Sequence, residues 1–166
     1  INIEDETNPG KIEKFISIDD NDFDNKIVNS VPGDPVVITA DGAKSYVDYR
    51  GAIAYVSDLE GKITKINLTN LQETGGLALY DHYTLFDIRA TKATGRYMFH
   101  SMDSAIGKDT KKLWLFAGTG DYMNLNDTTS KLTKNVMLGF QDPFFPSFQK
   151  IPKLPVKPSN MFAGNA

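Results

Sequence analysis

The chain lacks several features that would place it in a functional class. None of its 166 residues is a cysteine, which excludes a disulfide framework and a thiolate metal site. No apolar run approaches the ~20 residues that span a bilayer, and no segment resembles a signal peptide. The 18 Lys and Arg are scattered among 21 Asp and Glu, which argues against a nucleic-acid-binding surface. Helix is scarce as well, because no segment keeps a 3.6-residue apolar repeat over three capped turns.

What the sequence does contain is a repeated unit: a hydrophobic strand, an acidic turn closed by glycine, and a second strand that begins with Lys-Ile. The clearest copy is Ala52–Leu68 (AIAYVSDLEGKITKINL). In its turn, Asp58 can hydrogen-bond the backbone two residues on, and Gly61 can adopt the positive φ of a tight hairpin. The second half of the unit recurs at Lys11–Ile18, and a looser copy covers Leu113–Tyr122.

Units repeated about every 40 to 50 residues are typical of β-propellers, whose blades are antiparallel sheets arranged around an axis. We therefore predict an all-β fold made of propeller blades. Three units do not close a ring, so we expect either a partial propeller from a longer chain or an open stack of sheets completed by a partner. Because the chain opens without Met and in mid-pattern, we expect a mature product, a proteolytic piece or part of something longer.

Short apolar runs between turns predict the remaining strands. We expect a hairpin over 1–18 and strands at 35–39, 46–49, 85–88, 97–100, 114–117 and 135–140. The stretch 102–112 is predicted to be a polar hairpin loop with solvated lysines. Residues 1–149 are assigned to the blades, and residues 150–166, with prolines at 152, 155 and 158, to a Pro-rich extended tail or linker.

One acidic loop has the spacing of a calcium site. Asp20, Asp22 and Asp24 occupy positions one, three and five of a possible calcium-binding loop, where carboxylates converge on one hard cation. Positions nine and twelve are Val28 and Val31, so no later carboxylate of this loop completes the shell. The two hypotheses are a calcium site completed by water or a neighbouring loop, and a solvated acidic loop.

Other candidate sites have simpler structural interpretations. The stretch Gly118–Asp121 (GTGD) lacks the Gly-Lys-Ser/Thr of a phosphate loop and precedes no helix, so we predict a sharp turn at a strand end. His82 and His100 have no carboxylate at a metal-like spacing, and no Gly-x-Ser-x-Gly elbow is present. We predict no catalytic residues.

Three segments together resemble the C-terminal propeller region of the PilC/PilY family, the tip-associated adhesins and biogenesis factors of bacterial type IV pili. They are Pro35–Ile38 followed by Ala54–Leu68, the Gly-Thr-Gly strand end of Leu113–Tyr122, and Val136–Pro143 (VMLGFQDP). The resemblance extends from Ile1 to Phe148. Family members often carry a calcium loop rich in Asp and Gly just before the strand that corresponds to the start of Ala54–Leu68. Here the corresponding stretch keeps only Asp48.

The resemblance implies a secreted, non-enzymatic module at the pilus tip or outer membrane of a bacterial cell. Such a module supports pilus biogenesis and attachment to surfaces or host cells. The implied partners are minor pilins, the pilus tip complex and a surface or host receptor. Calcium is a candidate cofactor only through the separate loop of Asp20, Asp22 and Asp24, because the family's calcium loop keeps one carboxylate here.

Two other interpretations stay open. One is a fragment of a quinoprotein-like (PQQ-type) dehydrogenase propeller, which would need a tryptophan stacked on the cofactor. The only tryptophan, Trp114, is predicted to pack in the core instead. The other is a structural propeller of an unrelated surface protein.

Overall fold

The computed structural model describes residues 1–18, 29–39, 51–69, 78–92, 95–121 and 135–146. These residues are all-β, with antiparallel strands and no helix among them. The strands within these ranges are β1 (Val36–Thr39), β2 (Ala52–Ser57), β3 (Lys62–Asn67), β4 (His82–Asp87), β5 (Asp103–Ile106), β6 (Leu113–Gly118) and β7 (Met137–Gln141). The all-β prediction is therefore confirmed for the described part of the chain.

The first sheet is a meander in which β1, β2, β3 and β4 each pair with the next strand in sequence. Its central hairpin is the repeated unit at Ala52–Leu68. The turn between β2 and β3 contains Gly61 with a φ of +75°, and the Gly61 N–H donates to the carbonyl of Asp58 at 3.0 Å. Every residue of β3 is buried, so both faces of this strand are covered. The predicted hairpin and the positive φ of its glycine are confirmed.

The second sheet is a meander of β5, β6 and β7 with β6 in the centre. Leu113, Leu115 and Ala117 on one face of β6 are buried, whereas Trp114 is half-buried and Phe116 is 38% exposed on the other face. One face of this sheet is therefore buried and the opposite face is partly open. The prediction that Trp114 packs in the core is wrong, because side chains alternate between the two faces of a strand and the core lies on the face opposite to Trp114.

Both sheets contribute to one hydrophobic core. It contains Ile53, Tyr55, Ile63, Tyr83, Leu85, Phe86, Met98, Met102, Leu113, Leu115, Ala117, Leu138, Phe140 and Phe145. The rings of Phe86 and Phe140 stack across the sheets with centroids 4.9 Å apart. Aromatic pairs at this separation add stability beyond the area they bury, so this stack helps to hold the two sheets together.

Several local predictions are wrong. The hairpin expected over 1–18 consists of one isolated bridge between Asn2 and Lys11, and residues 12–18 are not a strand. Residues 97–100 are irregular, although Met98 is fully buried. The hairpin loop expected over 102–112 contains β5, because the edge of β6 offers hydrogen-bond partners to Asp103–Ile106.

Candidate functional site

A row of polar side chains crosses the first sheet in an otherwise apolar region. Tyr55 on β2 lies opposite Lys65 on β3, and Lys65 lies opposite Tyr83 on β4. Residues that face each other across antiparallel strands have neighbouring side chains on the same face of the sheet. All three residues are buried, so the hairpin register brings a lysine between two tyrosines inside the protein.

Asp142, which follows β7 of the second sheet, completes this group. Its Oδ2 atom accepts hydrogen bonds from Tyr55 Oη at 2.7 Å and from Lys65 Nζ at 2.5 Å. Its Oδ1 atom accepts the backbone N–H of Phe144 at 2.8 Å, and its own N–H donates to the carbonyl of Leu113 at 3.0 Å. We call Tyr55, Lys65, Tyr83 and Asp142 the intersheet cluster, because it connects the two sheets through a buried ion pair.

Burial controls the electrostatics of the intersheet cluster. Desolvation lowers the pKa of the Lys65 ammonium, and the adjacent Asp142 carboxylate opposes that shift. Desolvation raises the pKa of Tyr55 far above its usual range, and Asp142 adds to the shift because a second negative charge beside it is unfavourable. Both tyrosines are therefore neutral, and the lysine amine gives up its proton more readily than it would in water.

The Tyr83 hydroxyl differs from the other polar groups of the intersheet cluster. Tyr83 Oη is buried without a hydrogen bond among the described residues. Its pKa is raised, first by burial and then by the Asp142 charge. An unpaired buried hydroxyl is costly, so this position stands out within a cluster that is otherwise well bonded.

A second polar group lies at the turn between β2 and β3. The Asn29 amide donates to Asp58 Oδ2 at 3.1 Å and to Glu60 Oε2 at 3.2 Å. The Asp58 Oδ1 atom accepts the Lys62 N–H at 2.9 Å, and Lys62 Nζ pairs with Glu60 Oε2. Burial raises the pKa of Asp58 to about 6. We call Asn29, Asp58, Glu60 and Lys62 the turn cluster.

The second sheet also presents an apolar surface, which we call the outer face: Trp114, Phe116 and Met137. The Trp114 and Phe116 rings are stacked with centroids 6.4 Å apart. Met137 pairs with Gly118 at the end of the same ladder and is 65% exposed. Apolar surface grouped in this way is typical of a contact site rather than of isolated surface residues.

The calcium loop predicted from Asp20, Asp22 and Asp24 lies outside the described residues, as does Asp48. Among the residues that are described, no three His, Asp or Glu side chains come together as a metal-binding group. His82 and His100 are exposed and well separated in the chain. The lysines at 108, 111 and 112 are exposed near the turn between β5 and β6, which confirms the prediction that they are solvated.

The chain leaves β6, which ends at Gly118, without glycine-specific backbone geometry. Neither Gly118 nor Gly120 has a positive φ, so the chain needs no glycine-specific dihedral at either position. The loop is instead fixed by hydrogen bonds: the Thr119 N–H donates to the Val136 carbonyl at 3.0 Å, and the Gly120 N–H to the Tyr97 carbonyl at 2.9 Å.

Sequence reasoning missed the intersheet cluster. Lys65 fits the polar-apolar alternation of its strand, and Asp142 precedes a proline, so each has a local explanation. The available signal is Tyr55 and Lys65 at facing positions of a predicted hairpin. No sequence signal connects either residue with Asp142, which is 77 residues away from Lys65.

Comparison of the chain with protein-family models, with curated proteins and with solved structures found no match in any of the three. Within the described ranges, no helical segment has the length and apolar composition needed to cross a membrane.

Proposed function

We propose that this chain is a non-enzymatic binding module: part of a β-propeller in a type IV pilus tip adhesin of the PilC/PilY type. The observation that carries the proposal is the packing of a four-stranded antiparallel meander against a second antiparallel sheet through one core. Propeller blades are four-stranded antiparallel sheets that pack on their neighbours. In this proposal, β1 to β4 form one blade and β5 to β7 belong to the next.

The unequal burial of the two sheets supports this arrangement. Strand β3 of the first sheet is buried on both faces, as expected for a blade between two neighbours. The outer face of the second sheet exposes Phe116 and Met137, as expected where a further blade docks. The outer face is thus the proposed contact with the next part of the propeller.

The first residues of the chain support the same view. Lys11–Ile18 has the sequence of the repeated unit's second strand, yet it forms no ladder with any described strand. Phe15 is 83% exposed and Ile12 is 57% exposed. A strand sequence with exposed apolar side chains is expected to pair within a preceding blade, which completes its backbone hydrogen bonds and covers these side chains.

The proposed location is the bacterial cell surface, at the pilus tip or outer membrane. Minor pilins and the tip complex are the proposed partners for pilus assembly, and a surface or host receptor is the proposed partner for attachment. Calcium is the proposed cofactor of the loop that contains Asp20, Asp22 and Asp24, since that carboxylate spacing suits a hard divalent cation.

The test is the location and effect of the full-length protein in the organism that encodes this chain. Pili sheared from the cells are expected to carry the protein at their tips by immunogold labelling, and minor pilins are expected to co-purify with it. Deletion of the gene is expected to reduce piliation and attachment, with recovery on complementation. A protein absent from isolated pili, in a strain whose piliation is normal after deletion, contradicts the proposal.

The quinoprotein alternative has its own measurement. A dehydrogenase propeller holds a quinone whose absorbance is visible after purification or after addition of the cofactor and calcium. A stoichiometric quinone spectrum together with dye reduction on an alcohol would replace the pilus proposal with the enzyme.

A further inference from the structure

We propose that Lys65 and Asp142 form an intramolecular isopeptide bond, which joins the two sheets covalently. The proposal is independent of the pilus function, since it depends only on the geometry of the intersheet cluster. The Lys65 side chain is 1% exposed, the Asp142 side chain is fully buried, and Nζ lies 2.5 Å from Oδ2. The amine and the carboxyl group are therefore held together with bulk water excluded.

Burial makes the neutral forms of the two groups accessible. An ion pair in a low-dielectric interior loses much of its hydration, and transfer of one proton from Nζ to Oδ2 gives an amine and a carboxylic acid. These are the forms that react, because a protonated amine has no lone pair and a carboxylate resists nucleophilic attack. The lowered pKa of Lys65 favours this transfer.

The remaining contacts of Asp142 suit the reaction. As Nζ attacks Cγ, negative charge develops on Oδ1, which already accepts the Phe144 N–H at 2.8 Å. A backbone donor placed at a developing oxyanion stabilises the transition state. Tyr55 Oη, 2.7 Å from Oδ2, is placed to give a proton to the departing oxygen and to receive one from the nitrogen in return.

The step balances without an oxidant or a cofactor. The bond between Nζ and Cγ forms, and the bond between Cγ and Oδ2 breaks. Of the three protons on the lysine ammonium, two leave with Oδ2 as water and one stays on the amide nitrogen. The fold already holds the amine and the carboxyl group in contact. The entropy cost of bringing two separate groups together, a large part of the barrier to amide formation, is therefore removed.

The product also fits its surroundings better than the ion pair does. A neutral amide replaces two buried charges, which removes their desolvation cost. Tyr83 Oη, unpaired among the described residues, is a neighbour of Lys65 across β3 and β4. The Tyr83 hydroxyl is therefore placed to hydrogen-bond the new Lys65–Asp142 amide once Oδ2 has left as water.

Mass spectrometry of the purified wild-type chain tests the proposal directly. The intact denatured protein is expected to be lighter than its sequence mass by one water. Trypsin is expected to leave Lys65 uncut and to release a branched peptide in which residues 63–89 are joined to residues 135–150, since no other Lys or Arg interrupts either segment. An intact mass equal to the sequence mass overturns the proposal, and so does a water loss without the branched peptide.

Two variants give the controls. Lys65→Arg keeps the charge but removes the primary amine, so its mass is expected to equal its sequence mass, with folding checked by circular dichroism. Tyr55→Phe removes the proposed proton carrier, and the branched product is expected to form on the order of a hundredfold more slowly during cell-free synthesis. Branching at an unchanged rate in Tyr55→Phe overturns the role of Tyr55. If either variant fails to fold, the wild-type peptide map still decides whether the bond exists.

Discussion

The hydroxyl of Tyr55 donates a 2.7 Å hydrogen bond to the carboxylate of Asp142, although 87 residues separate them in the chain. Tyr55 belongs to the first sheet, and Asp142 follows the last strand of the second. Both groups are buried. The relationship between the two sheets is therefore fixed by a polar contact as well as by the apolar core around it.

Removal of the Tyr55 hydroxyl is expected to destabilise the protein. Tyr55→Phe leaves the ring in place but takes one donor from Asp142, which should lower the free energy of unfolding by about 1 to 3 kcal/mol. Tyr83→Phe is the matched control, because Tyr83 Oη has no partner among the described residues. Both changes are made in a Lys65→Arg background, where no isopeptide bond can form, and urea denaturation is expected to show the loss with Tyr55→Phe and no loss or a small gain with Tyr83→Phe. Equal destabilisation of both would contradict the hydrogen-bond assignment.

The turn cluster predicts that stability depends on pH. Burial raises the pKa of Asp58 to about 6, from an ordinary value of 3.8. The folded protein therefore binds a proton more tightly at this site than the unfolded chain does. From pH 4 to pH 6, a rise in pH removes stability, and the full loss above pH 6 is roughly 3 kcal/mol at most.

Denaturation at pH 5 and pH 7 measures this effect. The contribution of Asp58 to the free energy of unfolding is expected to be larger at pH 5 than at pH 7. Asp58→Asn keeps an acceptor for the Lys62 N–H and removes the titrating group. Comparison of the two proteins isolates the contribution of Asp58 from those of other carboxyl groups. A variant with the same pH dependence as the wild type would show that the Asp58 pKa is not raised.

Glycine is required at position 61 for two separate reasons. Its φ is +75°, and a Cβ atom there would lie 2.3 Å from Ile88 Cγ2. Gly10 has a similar φ of +87°, but a Cβ atom there would meet nothing within 4 Å. Gly10→Ala should therefore cost only the backbone strain, about 1 to 2 kcal/mol. Gly61→Ala adds the clash, for a total of roughly 2 to 5 kcal/mol.

Thermal unfolding of the two alanine variants checks this difference. The difference between the two melting temperatures, rather than either melting temperature alone, measures how closely the turn at Gly61 packs against Ile88, which follows β4. Variants with equal melting temperatures would mean that Ile88 moves aside without cost.

The outer face is expected to contribute contacts rather than stability. Phe116→Thr and Met137→Thr remove apolar surface that is already partly exposed, so the free energy of unfolding should change by less than about 0.5 to 1 kcal/mol. The wild-type chain is expected to self-associate through this exposed apolar face in sedimentation velocity, and the two variants are expected to do so less. Val37→Thr, at an exposed position on the edge strand β1, is the control and should leave association unchanged. Unchanged association in the outer-face variants would argue against a docking surface there.

The repeated unit could be predicted because its signals are local. Asp58 and Gly61 have the turn chemistry of a hairpin, and the strands on either side carry apolar side chains, so neighbouring residues suffice to define both strands and the turn. The sequence also predicts β6 and β7 close to where they lie, because each is a short apolar run between turn residues.

The wrong strand predictions concern which segments find a partner strand. Lys11–Ile18 has a strand-like sequence but forms no ladder with a described strand, whereas Asp103–Ile106 has a weak strand sequence and pairs along β6. A strand exists where a neighbour accepts and donates its backbone hydrogen bonds. The sequence of one segment does not contain that information, which explains both errors.

By itself, the sequence determined the all-β class and the central hairpin, since composition, turn residues and apolar alternation act over a few neighbouring positions. Tertiary structure alone decided that Lys65 and Asp142 meet. Their contact depends on the register of one sheet, the end of a strand in the other and the exclusion of water between them. These are properties of the packed pair of sheets, because neither sheet alone brings the amine and the carboxylate together.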